Sequence, residues 1–116
     1  MLTPGDIVEL DLGPPTGSEA GMLRPAVVVT AGRVLRGDPN VIQVVPLTRT
    51  LRDSGAEVVI EPDRANGLAA PSAAQCQHVR SVATSRCRSR VGTIGPVALA
   101  QIRGTLALLL DIHRQV

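Results

Sequence analysis

Apolar and acidic residues alternate from Ile7 to Leu12, which predicts a first strand after a Pro4-Gly5-Asp6 turn, with Glu9 and Asp11 on its polar face. Gly13 to Leu23 is too dense in Pro and Gly for a helix or central strand and reads as a loop. The Val run bounded by Pro25 and Thr30 predicts a buried strand, and Gly37-Asp38-Pro39-Asn40 a turn. Further strands are expected over Val41–Leu47 and Ala56–Ile60. Pro46 cannot donate to a central ladder, so a bulge or strand end is expected there. Polar Arg49 to Gly55 predicts an exposed loop, and Glu61 to Pro71 another. Ser72 to Val82 reads as extended, in one piece or two, followed by a helical turn within 84–88 and a short strand from Arg90 to Ile94. At Gly95-Pro96 the period changes: Leu99, Ile102, Leu106, Leu109 and Leu110 recur at helical spacing, and Pro suits a first helical position. One long helix ending near Asp111 follows.

Many short strands and a single long helix exclude a parallel βαβ design. The expected class is α+β, mainly β: a small, strongly bent sheet or half-barrel with a C-terminal helix across it. The 116 residues suit one domain, taken as 1–116. A core this small gains from dimerisation. It must be built from Val, Leu, Ile and Ala, because Phe, Tyr and Trp are absent. Aromatic platforms for stacked bases are therefore excluded, and any base recognition rests on grooves, hydrogen bonds and Arg.

The formal charge of +2 is too small to argue for nucleic acid by itself. More telling is that every basic residue apart from His is Arg, whose planar fork of donors suits phosphates and base edges. A compositional bias toward Arg accounts for the missing Lys equally well. Cys76 and Cys87 form no CxxC pair and have no zinc-finger-type His spacing, so they read as core thiols of a reducing cytosol rather than as metal ligands. There is no signal-peptide pattern and no apolar run long enough to cross a membrane, which points to the cytoplasm.

Three strings, in order, resemble the MazF/PemK toxin family. They are Gly17-Ser18-Glu19-Ala20-Gly21 with Arg24-Pro25-Ala26-Val27-Val28-Val29; Val44-Val45-Pro46-Leu47-Thr48; and Gly67-Leu68, Ser72 to Arg80, Ser85-Arg86 and Val91-Gly92. The opening Gly5-Asp6-Ile7-Val8 and closing Leu108-Leu109-Leu110-Asp111 extend the likeness over nearly the whole chain. The resemblance implies an SH3-like small barrel of MazF/PemK type with a C-terminal helix, paired as a homodimer. It implies a sequence-specific, metal-independent, ribosome-independent endoribonuclease that cuts single-stranded mRNA. The expected ends are a 2′,3′-cyclic phosphate and a 5′-hydroxyl, and no cofactor is expected. It further implies a cognate, MazE-like antitoxin that blocks the RNA groove, with DNA bound only indirectly through that complex, and no membrane partner. A toxin type of the same fold inhibits DNA gyrase, and a non-catalytic nucleic-acid-binding module is a third reading, so fold alone does not fix the target.

Metal-free RNA cleavage needs a proton taken from the 2′-hydroxyl, a stabilised phosphate and a protonated 5′-oxygen. Arg24 closes the Gly-rich loop and precedes the Val strand, where its donors suit a non-bridging phosphate oxygen; the resemblance assigns its counterpart to catalysis. As a guanidinium holds its proton, electrostatic stabilisation is its expected role. The resemblance places Thr48 beside it as a hydrogen-bond donor. Glu19 either orients Arg24, accepts the 2′-hydroxyl proton, or is a solvated loop residue. Ser18 and Gln77 stand where some relatives carry His and Asp, which disfavours that version of acid–base chemistry, and both are assigned to RNA binding. His78 stands where most relatives carry Gln and is read as an RNA contact first. Arg80 matches a family Arg that binds RNA or braces the site. Arg49 and Arg52 follow Thr48 in a polar loop suited to flanking nucleotides. If extended, the 86–90 stretch puts Arg86, Arg88 and Arg90 on one side, either as a phosphate track or as an ordinary solvated face.

Overall fold

The computed structural model describes residues 1–11 and 23–113. Seven strands form one antiparallel sheet: β1 (Asp6–Asp11), β2 (Leu23–Val28), β3 (Val41–Thr48), β4 (Glu57–Ile60), β5 (Ser72–Gln75), β6 (Arg80–Ala83) and β7 (Cys87–Thr93). A one-turn helix α1 (Gly32–Leu35) follows β2, and α2 (Gly95–Leu109) closes the described chain. The strands run in the order β4-β5-β3-β2-β1-β7, and β6 also pairs with β3.

That pairing forces the sheet to roll. β6 and β7 flank the three-strand unit β3-β2-β1 on opposite sides, yet are joined only by a 3-10 turn, Thr84–Arg86. In a flat sheet the two would lie about 19 Å apart, four spacings of about 4.8 Å. The path from Ala83 to Cys87 reaches at most about 14 Å even when fully extended. The strands must therefore curl, as in a small barrel.

Strand alternation gives the rolled sheet two apolar faces. Ile7, Val27, Val45 and Leu47 lie in one cluster with Ile60, Ala74 and Cys76, under Leu99 and Ile102 of α2. Val8, Leu10, Ala26, Val28 and Val44 lie in the other, closed by Leu35 of α1 and Val82 of β6. Arg103 pins α2 to the end of β2 through the Val29 and Thr30 carbonyls, at 3.1 and 3.4 Å. Buried Asp6 ties β1 to β7: it accepts from the Thr3 N–H and hydroxyl, both at 2.9 Å, and pairs with Arg90 at 3.0 Å.

Several expectations need correction. β3 does not end at Pro46 but runs through it to Thr48, and it is the partner strand that changes there. β6 pairs with β3 as far as Val44, and β5 takes over from Leu47. β7 begins at Cys87 rather than Arg90. The turn at Gly37-Asp38-Pro39-Asn40 is preceded by α1, over Gly32–Leu35. α2 buries Leu99 and Ile102, and Leu106 partly, but Leu109 and Leu110 are exposed. The helix packs on β4 and on the 3-10 turn Cys76–His78, and its last turn runs beyond them. No helix among the described residues is long and apolar enough to cross a membrane.

Candidate functional site

The change of partner along β3 opens a cleft. Where β6 gives way to β5, the chain between them cannot stay in either ladder and turns as Cys76–His78, with Cys76 buried and His78 exposed. Arg80 opens β6 opposite Val44, and Thr48 at the far end of β3 lies opposite Ala73. On the other side of β3, β2 pairs Ala26 with Pro46. Continuing that register by two residues sets Arg24 across from Thr48. Arg24, Thr48, Arg52, Gln75, His78 and Arg80 all line one open cleft of about 430 Å³, which Leu10 and Pro46 also line.

The cleft is rich in unspent donors. Among the described residues, Arg24 and Arg80 have no hydrogen-bonded or ion-paired side-chain partner, and both are exposed. The Thr48 hydroxyl accepts the Thr50 N–H at 3.1 Å. That bond uses a lone pair and leaves the hydroxyl proton free to donate into the cleft. Three guanidinium groups and one hydroxyl at the mouth of a half-apolar hollow suit a phosphodiester. No three His, Cys, Asp or Glu side chains among the described residues are grouped as a metal would require.

Not every candidate converges there. Ser18 and Glu19 lie outside the described residues. Arg49 is exposed just after β3 and does not line the cleft. Gln77 is exposed and points its amide at Glu57 instead. Arg86, Arg88 and Arg90 are exposed, but they are engaged with acidic residues. Arg86 donates to the Asp11 carbonyl at 3.1 Å, Arg88 pairs with Asp11 at 2.6 Å, and Arg90 with Asp6. The solvated-face reading fits this stretch better than a free phosphate track.

Sequence reasoning missed Glu57, which it treated as a strand residue. Its side chain is only 2% exposed. Oε2 accepts from Gln77 at 2.7 Å and from Gln75 at 3.4 Å, and faces Arg52 at 3.5 Å. The Gln77 bond does most to hold its carboxyl below the usual glutamate range; Gln75, Arg52 and His78 add to this, while burial opposes it. The signal was faint: an acid opening a β-rich string, with its partners 18 and 20 residues downstream.

The model of the PemK-like, MazF-like toxins of type II toxin–antitoxin systems matches residues 3–110. The chain belongs to this family. Endoribonuclease MazF9 of Mycobacterium tuberculosis is 38% identical over 97% of this chain and 98% of its own length. The MazE–MazF complex of Deinococcus radiodurans contains a chain of the same fold at TM-score 0.76 and 28% identity, covering 95% of this chain and 96% of that one. An endoribonuclease from a mycobacterial species, solved with its cognate antitoxin, reaches TM-score 0.77 at 18% identity over 99% and 100% of the two chains, a likeness of fold. The seven-stranded antiparallel sheet with its terminal helix is thus the fold of MazF toxins.

Proposed function

We propose that this MazF-family endoribonuclease toxin cuts single-stranded RNA without a metal, using the substrate's own 2′-hydroxyl as nucleophile. The observation that carries this reading is the convergence of Arg24 and Thr48, from adjacent strands, on one donor-lined cleft. In the reaction the 2′-oxygen attacks phosphorus and the 5′-oxygen leaves with a proton. The products are a 2′,3′-cyclic phosphate and a 5′-hydroxyl. Arg24 and Thr48 hold the non-bridging oxygens as charge builds on them, and Arg80 adds a second guanidinium. DNA lacks the nucleophile and is left intact.

Removal of the 2′-proton falls to His78 or to Glu19. If His78 is the base, His78→Gln removes the cleavage step; if Glu19 is, cleavage survives that change and is lost in Glu19→Gln. The toxin acts as a homodimer in the cytoplasm. Its neutralisation by an antitoxin is supported by relatives solved with a cognate antitoxin or with MazE.

The test is cleavage of a mixed-sequence RNA in excess EDTA, with both product ends mapped. Cyclic phosphate ends, and their loss in Arg24→Ala, are expected. Dependence on Mg²⁺, or full activity in Arg24→Ala, contradicts the mechanism. Failure on every RNA together with capture of gyrase from extract would favour the gyrase reading instead.

A further inference from the structure

The cleft is not uniform in its hydrogen-bonding character. Around Arg24, Thr48 and Arg80 it offers donors. Around Gln75 and Arg52 it offers something else, and Glu57 is the reason. An ionised carboxylate only accepts hydrogen bonds, so a primary amide beside it must turn its NH₂ inward. Gln75 and Gln77 both do so, at 3.4 and 2.7 Å from Oε2. Their amide oxygens are therefore turned away from the carboxylate. Arg52 Nη1 stands at ion-pair distance, 3.5 Å, from the same oxygen, and its side chain is 53% exposed, which leaves its donors available to a ligand. The loop carrying Arg52 is shaped to return it there. Asp53 takes a left-handed turn at φ 53°, and Ser54 binds the N–H groups of Ala56 and Glu57.

A carbonyl oxygen beside guanidinium donors is a poor phosphate site, because the oxygen repels phosphate. It is a good match for the edge of a nucleobase, where donors and acceptors lie side by side. The arrangement also carries a cost: among the described residues, the buried Glu57 Oε1 has no hydrogen-bond partner.

We propose that Glu57 is a positioning residue for base selection, its carboxylate locking Gln75 and Arg52 into an acceptor–donor pair that reads a nucleobase next to the scissile phosphate. This rests on the RNA-cleaving reading above. Glu57 does not touch the RNA; it acts through Gln75 and Arg52, which line the cleft, while Gln77 clamps the carboxylate from the exposed side. When the carboxylate is replaced by an amide, Gln75 is free to present either end, and the polarity of the pair is lost.

The experiment is cleavage of a randomised single-stranded RNA pool by the full-length protein, with sequencing of the cut sites and kcat and KM measured on one preferred substrate. Glu57→Gln is expected to flatten the preference at one position next to the cut several-fold. KM rises about tenfold while kcat stays within about threefold, and Glu57→Asp recovers part of the preference. Gln75→Ala and Arg52→Gln should flatten the same position, and they decide the matter if Glu57→Gln does not fold. Folded variants that cut the pool with wild-type preference overturn the proposal, as does an equal fall in kcat for all sequences. Absence of cleavage by the wild-type protein is a separate outcome, which overturns the RNA reading itself.

Discussion

Replacing Thr48 by Val removes a hydroxyl and keeps the shape, so it separates chemistry from packing. Thr48 is half-buried at the end of β3, and its oxygen accepts one backbone bond, from the Thr50 N–H at 3.1 Å. Thr50 is exposed, so on loss of the hydroxyl its N–H turns to water. The stability cost is then at most about 1 kcal/mol. In the proposed mechanism the catalytic cost is larger, because there the hydroxyl proton serves the transition state. Removing one such preorganised donor costs roughly 10²–10³ in kcat, about 3–4 kcal/mol. Thr48→Ser restores the donor and is expected within about tenfold of wild type, the residue reflecting a freer rotamer. The assay is single-turnover cleavage of a labelled RNA at saturating protein, with thermal melting of each variant alongside. A Thr48→Val protein that melts normally and cuts at the wild-type rate would refute the role given to the hydroxyl.

Further outcomes follow from the same geometry. Asn66 is buried and holds the loop between β4 and β5, accepting the N–H groups of Asp63 and Leu68 and donating to the Glu61 carbonyl at 2.8 Å. Asn66→Ala loses three bonds, about 3 kcal/mol, and is expected to lower the melting temperature by roughly 10 °C without changing kcat. Glu57 has a depressed pKa in the folded protein, so its stabilising effect is complete above the usual glutamate range and fades as pH falls through the lowered value. Melting temperatures of wild type and Glu57→Gln should differ at pH 7, and the gap should shrink as pH falls through the carboxyl's lowered value; a constant gap would show that ionisation is not involved. Burial pushes the Cys76 thiol up and encloses it, so a thiol reagent at neutral pH should label it only after denaturation; prompt labelling at Cys76 itself, mapped apart from the half-buried Cys87, contradicts that burial.

Local periodicity made much of the fold legible. The Val run of β2 and the Leu spacing of α2 survive in the structure because each packs its apolar face against a core that any register error would expose. One-turn α1 was missed because four residues with a Gly at the start carry no period. The end of α2 was misjudged for a tertiary reason. Leu109 and Leu110 keep helical spacing, but the surface beneath the helix ends before them. The site divides similarly. Arg24, Thr48, His78 and Arg80 stood out as chemical types in recognisable strings, and the rolled sheet brings them to one cleft. Gln75 and the buried Glu57 did not, because their roles exist only once β4 pairs with β5 and sets Glu57 opposite Gln75. The Arg-rich 86–90 stretch left two readings open because its acidic partners, Asp6 and Asp11, sit on a strand some 80 residues earlier, at separations of 84 and 77 positions.

The most direct measurement is a structure of the protein with a single-stranded RNA whose 2′-hydroxyl at the cut site is replaced by hydrogen, so that it binds uncut. The scissile phosphate is predicted within about 3 Å of both the Arg24 guanidinium and the Thr48 hydroxyl. A phosphate bound elsewhere, with either group unable to reach it, would contradict the account.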